Sequence, residues 1–361
     1  RNRSANCTTT RLPGADTHDP WGPDAHLILL INLRAATLQQ PDGPMKLIFD
    51  TDMGNDIDDA LALAMVHALQ SRGECELLAV TITKDQEEAA PYVDALNVFY
   101  RRGDIPVGIV KGGVTPEKGL YTGVTREKRD DAYVFPHNLQ VGDPVRDAVD
   151  LLRETLAGQI DDAVTIVQVG FSTNLSRLLL SPPDRHSGLA GIDLVRKKVH
   201  MISIMAGAFA PIKGGVHLEF NVIKDIAAAQ HVSRDWPTPI VWSGFEVGLA
   251  VLYPAVSIER DFRYRTRHPI PESYQAYIPV PHERPTWDLT SVLFAVRPDR
   301  GYFGVSPAGE VTVHDDGETT FVEKPGGLHT YLTLNPASVS RLQELFALLA
   351  SEPPTGSAAV G

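Results

Sequence analysis

The stretch Asp50-Thr51-Asp52-Met53-Gly54-Asn55-Asp56-Ile57-Asp58-Asp59-Ala60 decides how this chain is read. It is entered from a short apolar run at 46–50, whose length and content predict a buried strand. It is left through Ile57, Ala60, Leu61, Ala64, Met65, Ala68 and Leu69, whose spacing predicts a helix that Gly73 ends. The unit is strand, acidic loop, helix.

The same alternation continues outward. Strands predicted at 76–83, 107–110, 164–169, 199–205 and 240–242 alternate with helices near 87–101, 145–156, 173–180 and 225–231. This predicts an α/β fold with an open, mostly parallel sheet and helices on both faces, in which ligands sit beyond the carboxyl ends of the strands. The segment 310–322, interrupted by Asp315-Asp316-Gly317, predicts a small β-hairpin near the C-terminus, and a last helix is expected at 336–350. With no internal repeat or linker, one α/β domain is expected at 45–350, between a poorly structured leader at 1–44 and a flexible tail at 351–361.

The leader holds an apolar run at 27–33, but Asp16, Asp19 and Asp24 precede it and no small-x-small cleavage site follows cleanly. A cytoplasmic protein is expected, with a secreted or periplasmic one as the alternative if the leader is a signal segment. The first methionine is Met45, so the leader also reads as an over-extended gene start or a dispensable arm.

Composition narrows the function classes. The 361 residues include 33 basic and 45 acidic side chains, a formal charge of −12, with no basic run, so nucleic acid and membrane surfaces are not expected partners. No segment reaches the ~18 apolar residues of a membrane span. Cys7 and Cys75 are too few and too far apart for a disulfide framework or a thiolate metal site.

The acid in the loop at 50–59 is a different matter. One or two aspartates at a helix N-terminus cap free N–H groups; five within ten residues exceed that use. Carboxylates crowded at the end of a buried strand raise one another's pKa unless a cation neutralises them, and an all-oxygen ligand set favours Ca²⁺ or Mg²⁺ over zinc. An EF-hand starting at Asp50 fails, because its sixth and twelfth positions would be Asn55 and Leu61. A phosphatase with Asp50 as nucleophile and Asp52 as acid explains two aspartates and leaves Asp56, Asp58 and Asp59 idle.

Asp50-x-Asp52-x-Gly54 followed by Asp58-Asp59-Ala60 resembles the N-terminal signature of the nucleoside hydrolases, with two extra residues before the Asp-Asp pair. Further segments follow in that family's order: Val169-Gly170-Phe171-Ser172-Thr173-Asn174-Leu175, then Met205-Ala206-Gly207-Ala208 with Glu219-Phe220-Asn221, then Trp287-Asp288 before an apolar helix. The resemblance covers about residues 45–350 and implies a Rossmann-related fold and Ca²⁺-dependent hydrolysis of the N-glycosidic bond of a ribonucleoside. Carried over residue by residue, it implies that Asp52, Asp59, Asp288 and the Val169 carbonyl hold Ca²⁺. Asp52 would take a proton from the attacking water, and Asp58, Glu219 and Asn221 would hold the ribose. A homo-oligomer, dimer or tetramer, is also implied.

The departures matter. Trp287 stands where some relatives have a His that works near the base; another, purine-preferring branch has a Trp there that stacks on the base, so a purine is favoured. Lys213 replaces an Asn that touches the ribose 5′ end and suggests a substrate with a charged 5′ substituent, and Lys84-Asp85-Gln86 replaces a Gly-Asn segment. His137, His217 and His282 are alternative acids for the leaving base. Asp50 is expected to orient the loop, and Asp56 falls in the insertion. Two other classes stay open: a non-catalytic protein that binds calcium and ribose, and the aspartate-nucleophile phosphatase.

Overall fold

A computed structural model of the protein describes residues 43–355, so the leader up to residue 42 and the tail beyond 355 lie outside the described residues. The strand, loop, helix unit forms as read: β1 (Met45–Thr51) leads through the acidic loop into α1 (Asp58–Ser71). β2 (Cys75–Lys84), α2 (Ala89–Phe99), β3 (Val107–Val114), β4 (Arg146–Asp147) and α3 (Ala148–Ala157) follow. Next come β5 (Val164–Gln168), α4 (Thr173–Leu180), β6 (Val199–Met205), α5 (Phe220–Lys224), α6 (Ile226–Asp235) and β7 (Ile240–Ser243). Then α7 (Trp287–Val296), β8 (Gly309–Val313), β9 (Thr319–Glu323), β10 (His329–Thr333) and α8 (Val339–Ala350) complete the principal elements.

The main sheet has the strand order β9-β8-β10-β7-β6-β5-β1-β2-β3-β4. All neighbours from β10 to β4 run parallel, whereas β8 and β9 form the antiparallel hairpin expected near the C-terminus. The chain moves outward from β1 through β2 and β3, then returns to the other side of β1 at β5. β1 and β5 therefore flank the point where the strand order reverses, the place where ligands sit in open sheets of this kind. The acidic loop leaves β1 at that point.

Alternate residues of β1 serve opposite faces. Leu47 and Phe49 join the core under α1, α7 and α8, while Ile48 joins the core formed with Leu175, Leu178, Ile202 and Trp242. The α1 pattern departs from expectation. Its sequence predicts one apolar stripe, yet every residue from Asp58 to Leu69 is buried, because α7 and α8 both pack against it. The sequence pattern missed β4, whose two residues were read as the start of a helix, and β10. β10 runs beside β7, with His329 opposite Ile240, and joins the hairpin to the parallel sheet. No helix among the described residues is long and apolar enough to cross a membrane.

Candidate active site

β1 carries Asp50, Asp52 follows directly on its last residue, and the first turn of α1 carries Asp58 and Asp59. β5 ends just before Val169, whose N–H donates to the Asp50 carbonyl at 2.7 Å. Gly170 makes this approach possible: a Cβ there would sit 2.5 Å from the Asp52 nitrogen. α7, entered at Trp287, brings Asp288 in from the far end of the chain, and its N–H donates to Asp58 Oδ2 at 3.1 Å.

Asp58, Asp59 and Asp288 are all buried, and one carboxylate oxygen from each lies within 4.8 Å of the others. Burial pushes each carboxyl well above the ordinary carboxylate range, and the neighbouring aspartates push in the same direction. Asp52 is also buried and is raised to about 6, chiefly by desolvation, against a hydrogen bond from Asn55 that favours its charged form. Thr51 Oγ1 donates to Asp59 Oδ1 and fixes that carboxylate's orientation. This crowded, dry set of oxygens calls for a cation, and it offers hard ligands only, so the residues present fit a hard divalent metal. Asp150, Asp184 and His186 also converge, but Arg146, Arg153 and Arg185 already pair with them, leaving no comparable demand for a metal.

The other expected residues divide. Asn221 Nδ2 donates to the Val169 carbonyl at 2.9 Å and to the Met205 carbonyl at 3.1 Å, so it orients the very oxygen expected to bind metal. Glu219 is buried beside Gly207, and its carboxylate accepts from the N–H groups of Gly207, Asn221 and Val222, capping α5. Desolvation outweighs those bonds and raises Glu219 to about 7. Trp287 is engaged on both counts: its indole N–H donates to the Phe245 carbonyl at 2.9 Å, and its ring stacks on Phe245 with centroids 5.1 Å apart. The Arg284 guanidinium also packs over that ring at 5.1 Å. Lys213 is exposed at the Ile212–Gly215 turn with φ of 51°. His217 packs against Phe245 with its ring tilted, His282 stacks on Tyr274, and His137 bonds the Phe135 carbonyl; these contacts lie outside the carboxylate cluster.

Several residues have partners that the sequence did not foretell. Asp50 is wholly buried, accepting from Thr81 Oγ1 at 2.5 Å and Asn174 Nδ2 at 2.8 Å, and desolvation lifts it to about 7. These bonds tie the end of β1 to β2 and α4. Asp56, in the insertion, pairs with Arg284. Asn55, which precedes it, and the buried Lys84 form a chain of hydrogen bonds to Asp52. The inserted position was legible as an oddity, but its partners come from residues 29 and 228 positions away.

Residues 47–333 match the inosine-uridine preferring nucleoside hydrolase family. The chain belongs to that family. Among curated nucleoside hydrolases, the pyrimidine-specific ribonucleoside hydrolase RihA of Salmonella paratyphi B is 32% identical over 222 residues, a match spanning 60% of this chain and 65% of that relative. The match thus spans just under two thirds of the curated relative's length. Among solved structures, a plant nucleoside hydrolase, PpNRh1, superposes with a TM-score of 0.62 at 21% identity, covering 87% of this chain and 99% of that one. A purine-preferring ribonucleoside hydrolase from Gardnerella vaginalis gives a TM-score of 0.63 at 18% identity, covering 88% and 100%. These two structures share the nucleoside hydrolase fold with this chain.

Proposed function

We propose that this chain hydrolyses the N-glycosidic bond of a ribonucleoside to ribose and free base. The observation that carries the reading is the convergence of buried Asp58, Asp59 and Asp288 at the strand-order reversal, beside Asp52 and the Val169 carbonyl, in a nucleoside hydrolase family chain. Asp52, Asp59, Asp288 and Val169 would hold Ca²⁺, which when bound orients the sugar diol and acidifies the attacking water.

The chain's own groups do the rest. Asp52 accepts the proton as water attacks the anomeric carbon, and the pair of electrons in the breaking C–N bond leaves with the base. Burial alone raises its carboxyl to about 6 and a bound cation would lower it again, so Asp52 is ionised at neutral pH and able to accept the proton. The surrounding carboxylates favour the oxocarbenium-like ribosyl cation. Asp58 and Asn221 would meet the ribose hydroxyls. Glu219, committed to three backbone N–H groups, would shape the sugar pocket and hold Asn221 in place.

Trp287 supports a purine, provided that the base shares the indole with Arg284 or displaces it; the curated relative named above is pyrimidine-specific and points the other way. Lys213, exposed on the turn at 212–215, would meet a charged 5′ substituent. Base release from a panel of purine and pyrimidine ribonucleosides, with calcium and with chelator, tests the activity and the preference together. Chelator-sensitive release that disappears in Asp52→Ala is expected; full activity in Asp52→Ala would overturn the mechanism. Inosine compared with inosine monophosphate, in wild type and Lys213→Ala, tests the 5′ role.

A further inference from the structure

A buried lysine reaches the proposed base through one intermediary. Lys84 ends β2 with its side chain wholly buried, and its ammonium donates to Asn55 Oδ1 at 2.8 Å and to the Thr115 carbonyl at 2.9 Å. Asn55 Nδ2 in turn donates to Asp52 Oδ2 at 2.7 Å. Asn55 follows Gly54 directly, in the stretch where this loop is two residues longer than the family signature. The stem of Lys84 passes directly beneath the loop: a Cβ on Gly54 would lie 3.3 Å from Lys84 Cδ, and Gly54 itself has φ of +113°.

A buried ammonium is expensive unless charge compensates it, and both direct partners of Lys84 are neutral. The compensating charges that act on it include Asp52 and Asp59, within the carboxylate cluster, and Glu117. A mere filler at this position would be apolar. The donor of Asn55 also fixes its amide: with Oδ1 facing Lys84, only the nitrogen can face Asp52.

We propose that Lys84 and Asn55 form a relay that positions the Asp52 carboxylate, Lys84 orienting the Asn55 amide and Asn55 holding Asp52 Oδ2. This rests on the reading of Asp52 as base and metal ligand. Lys84 and Asn55 are positioning residues, acting through Asp52 without touching substrate. The relay does for this loop what outer hydrogen bonds do for ligands in metal sites generally, where their loss lowers affinity or turnover by about 10–100-fold.

The test uses Lys84→Met, Asn55→Ala and the double variant, with kcat and KM for base release, calorimetric titration with calcium alone, and melting temperature. Each single variant is expected to lose about tenfold or more in kcat with KM little changed. The double variant is expected to fall no further than the worse single one, because both cut the same relay. Asn55→Ala, which retains the Lys84 charge, is expected to bind calcium about tenfold more weakly at a near-normal melting temperature. Full kcat in a folded single variant, or losses that multiply in the double, would overturn the relay. If Lys84→Met does not fold, Asn55→Ala carries the test alone. If wild type releases no base, the hydrolase reading fails by itself, and the calcium titration still decides the relay: unchanged affinity in Asn55→Ala rejects it.

Discussion

The Asp288 N–H donates to Asp58 Oδ2 at 3.1 Å, joining two residues 230 positions apart in the chain. α7 therefore completes a carboxylate cluster that α1 begins, and a cation held there would clamp these two helices together.

Calcium should consequently stabilise the fold as well as support turnover. A ligand that binds only the folded state at a hundred times its Kd adds about 2.7 kcal/mol, which for a domain of this size is a rise of a few degrees in Tm. Chelator should reverse the rise, and Asp288→Ala should remove most of it. Thermal melts in calcium and in chelator measure this; identical Tm values in the two would show that the cluster holds no calcium.

Trp287 tests what the base meets. Base-on-aromatic stacking is worth about 1–3 kcal/mol when removed by alanine, so Trp287→Ala should raise KM for inosine by about tenfold or more, whereas Trp287→Phe should recover most of the loss. A smaller change for uridine is expected, since a pyrimidine offers less area. Equal losses for both nucleosides would leave Trp287 as a packing residue, which its bond to the Phe245 carbonyl also fits.

The insertion contributes an ion pair with a measurable worth. Asp56 and Arg284 are each about a quarter exposed, 25% and 24%, and the guanidinium also lies over Tyr277 and Trp287. Fully exposed pairs couple weakly, but this one is held on two aromatic rings. Asp56→Ala should lower stability by about 1–3 kcal/mol, and a double-mutant cycle with Arg284→Ala should recover a coupling of about 1 kcal/mol or more. Denaturant unfolding of the four proteins gives the number; additive effects would mean that the pair merely sits on the surface.

What could be read from sequence follows from where the information resides. The run at 46–50 and the helical spacing from Ile57 to Leu69 are local signals, so β1, the acidic loop and α1 stood out, and five aspartates in ten residues could not be absorbed by helix capping. Asp288 has no local signal; it became visible only through the resemblance, because the contact that matters crosses the whole chain. Asn55 and Lys84 were invisible as partners for the same reason. β10 was missed because residues 329–333 are too short to show a period, and their strand state depends on pairing with β7. Glu219 shows the opposite case: its position was anticipated, but the three N–H groups that occupy it arise from the chain's turn into α5, which no pattern of residue types displays.

Buried histidines set the acid limit of stability. His67 lies within α1, wholly buried, with Nε2 bonded to Asn97 Oδ1 at 3.0 Å and its ring stacked on Tyr100. That bond assigns the proton to Nε2 and leaves Nδ1 without a partner among the described residues, so a second proton would be stranded in an apolar setting. Desolvation accordingly depresses His67 to about 3, and the same cause depresses His268 to about 3 and His329 to about 4. Each binds its proton more readily unfolded than folded. Its contribution is therefore fully present above the unfolded value near 6.5 and is lost as pH falls from there towards the folded value. At pH 5, His67 alone should lower stability by about 2 kcal/mol relative to pH 7. Buried Asp50, Asp52 and Glu219 are shifted upward and act with the opposite sign over part of this range, so the comparison must be between proteins rather than between pH values alone. His67→Gln retains an N–H for Asn97 and removes the titration. Denaturant unfolding of both proteins at pH 7 and pH 5, in saturating calcium, should show the wild type losing about 2 kcal/mol more than His67→Gln; equal losses would mean that His67 takes up its proton without unfolding the helix pair around it.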